Sequence, residues 1–296
     1  MSAQPPRPRA APAPWPELSP DELKSCCATA YEHPAVRWLL GGELHPGGEA
    51  TTRHALDLIG VGSADELLDV ASGTGASALL AAGERGCRVI GVDFGTQAVL
   101  GAASAAEASG LGDRVRFVRG DAESLPLEDD SVDAVLCECS LCTFPDKPRA
   151  VEEMRRVLRP GGRVAISDVV IDPERLPAEL LGPLPSIACV GSALPPSGYE
   201  DLLAGAGLEV FGVDSRPSDA AAFARRIEER LRGARILGLD GLAGALVSTR
   251  DAIELVRAAR RAIDDGSLGY AIIAARLPDR APRPALDGGA GPGRRR

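Results

Sequence analysis

The residues best suited to chemistry fall in four short segments. Leu67-Leu68-Asp69-Val70-Ala71-Ser72-Gly73-Thr74-Gly75 reads as a strand that runs through a glycine turn into a helix. Glycine tolerates positive φ and lets a ligand approach the backbone. The helix N-terminus behind the turn presents unpaired amide donors. Asp93 closes the next strand, at a spacing where an acid can accept bonds from both hydroxyls of a ribose. Gly120-Asp121-Ala122 follows a third strand, and there a carboxylate and its neighbour's amide can bind the edge of an adenine. The fourth segment is Leu136-Cys137-Glu138-Cys139-Ser140-Leu141-Cys142, with Cys189 further along. Thiolates are soft ligands that select soft acceptors. Glu138 is the candidate base.

The elements that must position these residues follow from hydrophobic periodicity. Ser19-Pro20-Asp21-Glu22 has the form of a helix start: an N-cap, a proline in the first turn and an acid three residues after the cap. Short helices are predicted around Pro34 to Leu40 and Glu49 to Ile59. Strand and helix patterns then alternate. Strands are predicted at Glu66 to Val70, Arg88 to Val92, Val115 to Arg119, Val132 to Cys137 and Arg163 to Val170. Between them, helices are expected from Ala76 to about Gly83, up to Ala108, and from Arg149 to Leu158. The alternation implies a parallel sheet covered on both faces, and right-handed crossovers make it doubly wound. A helix from Tyr199 to Ala206 and a strand from Leu208 to Asp214 follow. Two amphipathic helices, Ser218 to Arg232 and Thr249 to Asp264, precede a last strand at Gly269 to Leu277. These two helices read as an insertion before the final strand.

In open α/β sheets ligands sit beyond the carboxyl ends of the strands, at the switch point. Gly73-x-Gly75-x-x-Ala78 on its own also fits a dinucleotide fingerprint. Asp69 before the turn, Gly120-Asp121 after the third strand and Leu158-Arg159-Pro160-Gly161-Gly162-Arg163 before the fifth favour a methyl donor over a nicotinamide. Together these residues resemble the class I S-adenosylmethionine-dependent methyltransferases, in particular the arsenite methyltransferase and methyltransferase type 11 group. The resemblance covers about Glu66 to Val170, and more weakly the chain up to Leu277. It implies a Rossmann-like methyltransferase fold with a mostly parallel seven-stranded sheet, S-adenosylmethionine as cofactor, and an activity of class EC 2.1.1. It also implies that Asp69, Ala71, Gly73 and Gly75 line the methionine end of the donor. Asp93 then holds the ribose, Phe94 stacks on the adenine, Asp121 and Ala122 bind its edge, and Glu138 and Cys139 face donor and acceptor.

In the arsenite methyltransferases one cysteine follows the fourth strand and another lies just before a later helix. Cys139 (or Cys137) and Cys189 occupy those places here. The resemblance makes them the groups that grip a trivalent arsenic atom whose lone pair accepts the methyl group. The family's further cysteine, in the glycine-rich loop before the donor motif, is replaced here by Leu40-Gly41-Gly42-Glu43, and only Cys26 and Cys27 could compensate.

Composition bounds the alternatives. The chain has 296 residues, 45% hydrophobic and 25% charged, which suits a globular protein with a real core. No apolar run approaches the ~20 residues needed to span a bilayer, and the N-terminus lacks a secretory signal core. A cytoplasmic location and mostly reduced thiols are expected. The net charge of −9 argues against nucleic acid as a partner. The expected partner is a small-molecule methyl acceptor, with no bound metal. The expected organisation is a disordered arm at 1–16, a helical cap at 17–60, a donor-binding core at 61–214, the helical insertion at 215–265, the last strand at 266–278 and a disordered tail at 279–296. Three other readings stand beside methyl transfer to arsenite. They are O-, N- or C-methylation of a small metabolite, non-catalytic binding of the donor or a soft metal, and a nicotinamide oxidoreductase. The last lacks a hydride-transfer pair in the sequence.

Overall fold

The structure is a computed structural model that describes residues 19–42, 44–181, 189–236 and 248–279. The expected terminal arm at 1–16, the tail beyond residue 279 and Glu43 lie outside the described residues.

Ser19 caps the first helix, α1 (Pro20–Glu32). Its hydroxyl faces the Glu22 amide, and the Glu22 carboxylate returns to the Ser19 amide at 2.8 Å, a reciprocal capping box. Two more helices, α2 (Pro34–Leu40) and α3 (Gly48–Leu58), lead to the alternating region. It comprises β1 (Glu66–Val70), α4 (Ala76–Arg85), β2 (Arg88–Asp93), α5 (Thr96–Ala108), β3 (Val115–Arg119), β4 (Val132–Glu138), α6 (Lys147–Val157) and β5 (Leu158–Ile171). Then come α7 (Pro196–Gly205), β6 (Glu209–Ser215), α8 (Pro217–Ile236), α9 (Thr249–Asp264) and β7 (Leu268–Arg276).

The strands form one sheet in the order β3-β2-β1-β4-β5-β7-β6. β1 to β5 run parallel, and β7 is antiparallel to both neighbours. This is the doubly wound, mostly parallel seven-stranded sheet expected, with the helical pair α8–α9 inserted before the last strand. The central strands are almost wholly apolar because helices cover both faces. Leu68, Val70, Val135 and Ile166 pack into the core on one face. Leu67, Leu136 and Ala165 pack on the other with α3 and α4. Chain order reverses between β1 and β4, and this opens a crevice at the carboxyl ends of the central strands.

Several boundaries differ from expectation, among them the starts of α6 and α7 and the end of α8, which reaches Ile236; two have a clear local reason. α4 runs past Gly83 and stops at Gly86, which adopts the left-handed conformation (φ 71°) that releases the chain from a helix. β5 begins at Leu158 rather than Arg163. Leu158 already pairs with Val132, and Gly161 and Gly162 exchange hydrogen bonds with Leu277 on the other side.

Candidate active site

The glycine turn after β1 is built by backbone conformation. Ala71, Gly73 and Gly75 all have positive φ, 58°, 53° and 80°. Gly75 is required sterically as well, since a Cβ there would lie 2.5 Å from Phe117 Cζ. Asp93, at the end of β2, ties this turn to the next: its carboxylate accepts the Gly73 and Gly95 amides, each at 2.7 Å. A carboxylate has about four acceptor positions, so it retains capacity for ribose hydroxyls. Ala71, Gly73, Asp93, Phe94, Asp121 and Ala122 line one pocket together with Glu138 and Cys139. Asp69 and Gly75 lie just behind this lining. The Arg119 guanidinium stands over one side of the Phe94 ring at 5.9 Å.

Acidic groups dominate the floor. Asp69 is 3% exposed, and its Oδ2 has no hydrogen-bond partner among the described residues. Burial, followed by the nearby Glu138 and Asp93 charges, pushes its carboxyl well up from the usual carboxylate range. Burial likewise raises Asp93. Glu138 is held by hydroxyls: Ser77 at 2.5 Å, Thr52 at 3.1 Å and Ser167 at 3.3 Å, with His45 Nε2 at 3.6 Å. Buried carboxylates with few cationic neighbours are costly. A pocket so lined, with an orphaned carboxylate oxygen and a turn too tight for a Cβ, fits a cationic nucleoside.

The roof is α1 and α2. Lys24 reaches down to Asp121 (2.8 Å) and Glu123 (2.5 Å). Glu32 accepts the Gln97 and Ala98 amides at 3.0 and 3.1 Å, which caps α5 where its own N-cap residue, Gly95, offers no side chain. Arg230 of α8 donates to the Trp38 and Leu39 carbonyls at the end of α2. The pocket, open on one side, has a volume of about 190 Å³, below the ~300–1,000 Å³ of typical ligand pockets, with α1 and α2 narrowing it.

Beside Glu138 the structure brings Cys139 and Cys189 together. They are 50 residues apart in sequence and their sulfurs are 3.8 Å apart. Both have positive φ, 49° and 69°. Three of the four described non-glycine residues with positive φ (Ala71, Cys139, Cys189) therefore sit at this site. Such conformations persist only where the surroundings enforce them, and they cluster at functional sites. Tyr31 of α1 approaches Cys189 Sγ at 3.4 Å. Hydrogen bonds from Cys139, Cys142 and Tyr31 lower the Cys189 thiol well below its ordinary value, while Cys139, as donor to Cys189, is raised. Cys189 is thus the first of the pair to ionise.

The remaining cysteines separate by environment. Cys137 is fully buried in the core with its thiol on Ser140 (3.2 Å), so it packs and does not face the pocket. Cys142 is also fully buried, beneath the pair. Cys27 lines the pocket from the roof, and burial pushes its thiol up to about 11. Among the described residues no group of three or more His, Cys, Asp or Glu side chains is arranged to hold a metal ion.

Among the described residues two histidines meet carboxylates, His45 with Glu138 and His54 with Asp214 at 2.7 Å, and no motif in the sequence announces either pair. The structure also adds Lys24, Tyr31 and Glu32 to the site. The one local signal was the His45-Pro46-Gly47-Gly48 segment, where Gly47 enters α3 at φ 78°.

Residues 68–166 match a methyltransferase domain family. The chain is 31% identical over 239 residues to 27-O-demethylrifamycin SV methyltransferase of Amycolatopsis mediterranei, covering 78% of this chain and 85% of that protein. The chain belongs to the class I S-adenosylmethionine-dependent methyltransferases. Its cofactor is S-adenosylmethionine, and its reaction is methyl transfer. It is 43% identical over 108 residues to an arsenite methyltransferase of Halobacterium salinarum, a match spanning 36% of this chain and 27% of that one. It matches between 27% and 61% of the length of seven curated relatives, that enzyme included. In fold it is similar to the [4+2]-cyclase SpnF, with a TM-score of 0.68 at 24% identity, covering 88% of this chain and 98% of that one. No described helix is long and apolar enough to cross a membrane.

Proposed function

We propose that this methyltransferase acts on a thiophilic small molecule, arsenite first, held by Cys139 and Cys189 beside the donor. The carrying observation is the sulfur pair, 3.8 Å apart, of which Cys139 lines the donor pocket and Cys189 is buried against it. Two sulfurs this close can be bridged by one soft atom after a small approach of the side chains. The identity to an arsenite methyltransferase supports the reading. All seven cysteines are free thiols, which suits a reducing compartment, the cytoplasm.

The donor fits as follows. Glu138 faces its cationic end, with Ala71 and Gly73 giving backbone access and Asp69 and Gly75 shaping the turn behind them. Asp93 takes the ribose, Phe94 the adenine face, and Asp121 with Ala122 its edge. The bound donor supplies an electrophilic methyl group. The chain's own work is to align an electron-rich atom with it and to exclude water, which α1 and α2 do by closing the cleft. An arsenic atom with two As–S bonds keeps a lone pair for attack. Cys139 and Cys189 would hold that lone pair toward the methyl group the bound donor would supply.

A second reading, methylation of O, N or C on a small metabolite, is favoured by the long match to a rifamycin O-methyltransferase and by the His45–Glu138 pair as a candidate base. Methyl transfer from labelled donor to arsenite, with a reducing thiol present, separates the two. Product is expected with the wild type, and at least a hundredfold less with Cys139→Ser or Cys189→Ser. Full turnover in both variants, or turnover only with an oxygen or nitrogen acceptor, would overturn the thiophile reading.

A further inference from the structure

One face of α1 runs along the pocket. Lys24, Cys27, Ala28 and Tyr31, spaced i, i+3, i+4 and i+7, all line it. Lys24 bridges Asp121 at 2.8 Å and Glu123 at 2.5 Å, acids that follow β3. Tyr31, at the far end of the stripe, brings its hydroxyl to 3.4 Å from Cys189 Sγ. Its neighbour Glu32 leaves the helix about 100° away and accepts the Gln97 and Ala98 amides at the start of α5, at 3.0 and 3.1 Å. A single helix therefore holds an acid at the end assigned to the nucleoside, the first turn of α5 and one sulfur of the thiol pair. Its apolar anchoring is slight: Ala30 is the one buried residue among its 13.

A segment with few buried apolar contacts opens at low cost, and a helix this short is marginal in water without its tertiary contacts. Polar contacts at separate places seat this one. Its backbone is one hydrogen-bonded rod, so it does not lift from Asp121 and leave Tyr31 in place without breaking internally. We infer that α1 seats and lifts as one piece, and that Tyr31 is the positioning residue through which a filled donor end fixes the thiol pair. A nucleoside lying under α1 touches its closed form and so favours it. The same closing sets the Tyr31 hydroxyl on Cys189, whose other sulfur contact is Cys139 at 3.8 Å and whose backbone is left-handed at φ 69°. The coupling is reciprocal: whatever holds Tyr31 on the thiol tightens donor binding by the same factor. The inference rests on the donor placement proposed above and not on the identity of the acceptor.

Timed alkylation of the full chain with iodoacetamide, read by mass spectrometry at each cysteine, tests this. Cys87 and Cys137, fully buried in the core, serve as internal references for folding. Without ligand, Lys24→Met is expected to speed alkylation of both Cys139 and Cys189 about threefold to tenfold, although Lys24 pairs with Asp121 and Glu123 and with neither sulfur. Tyr31→Phe is expected to speed Cys189 by a similar factor. Saturating S-adenosylhomocysteine, its binding checked by calorimetry, is expected to slow both cysteines at least about tenfold in the wild type and at most about threefold in Tyr31→Phe. The references are expected to keep their wild-type rates; if they react in Lys24→Met, that variant is unfolded and Glu32→Gln takes its place. Thiol rates unchanged by loosening α1 at Lys24 or Glu32 would show that the two ends move separately and overturn the inference. Bound S-adenosylhomocysteine that protects Cys139 alone would be direct cover by the nucleoside and overturn it too. Faster thiols in Lys24→Met, with no protection by the bound nucleoside, would overturn the donor placement and with it the coupling.

Discussion

At the residue scale, Asp168 shows how the acceptor end is held together. It is fully buried in β5, accepts the Cys142 amide at 2.9 Å, and is pushed up to about 7, chiefly by burial and then by Cys189. An unfolded aspartate titrates near ~3.9. Between that value and about 7 the folded chain therefore binds more protons than the unfolded one, and this residue's contribution to stability falls as pH rises through the window. Asp168→Asn keeps an acceptor for the amide and removes the titration. Its stability relative to wild type, measured by urea unfolding, is expected to improve steadily from pH 4 to pH 7. A difference independent of pH would contradict this assignment. Gly73, Asp93 and Asp121 line the pocket where the sequence places them, because each lies in a short segment whose backbone form follows from local residue types, whereas Asp69 and Gly75 do not line it. The Cys139–Cys189 contact was readable only through resemblance, since nothing local encodes a pairing across 50 residues. Lys24 on Asp121 and Glu32 on the α5 amides were not legible. They depend on where α1 comes to rest, and Asp121 carries a lysine partner that its own segment does not announce.

At the scale of elements, the strand–turn–helix from β1 to α4 controls the donor site. Its glycines differ in what they tolerate from one in the neighbouring helix. A Cβ at Gly75 meets Phe117 and sits at φ 80°, whereas a Cβ at Gly101 on α5 meets nothing within 4 Å. Left-handed backbone costs a side-chain-bearing residue about 1–2 kcal/mol, and overpacking adds about 1–3 kcal/mol. Gly75→Ala is thus expected to destabilise the chain by about 2–4 kcal/mol and to weaken donor binding. Gly101→Ala is expected to stabilise it by about 0.5–1 kcal/mol and to leave binding unchanged. Chemical unfolding and calorimetry check both, and equal effects from the two would contradict the role given to the turn. Element types were legible because buried parallel strands and amphipathic helices carry different periods. Their ends were less so. Gly83 looks like a helix stop and is not one, because the stop lies at Gly86, where the backbone turns left-handed.

At the scale of the molecule, the site is assembled from three bodies. The sheet supplies the donor floor and Cys139. The connection after β5 supplies Cys189. The helices outside the core, α1 and α2, form the roof, which α8 braces through Arg230. Cys189 packs in a cluster with Cys142, Tyr270 of β7 and Ala258 and Ala262 of α9, so the inserted helices support the acceptor end as well. This arrangement explains why the core motif identifies the donor while the thiol pair depends on segments outside that motif. The most direct test of the account is arsenic X-ray absorption on the reduced full-length protein loaded with arsenite and S-adenosylhomocysteine. Two protein sulfurs bonded to arsenic are expected, falling to one in Cys139→Ser and in Cys189→Ser. An arsenic atom surrounded by oxygen alone, or a sulfur count unchanged in both variants, would contradict it.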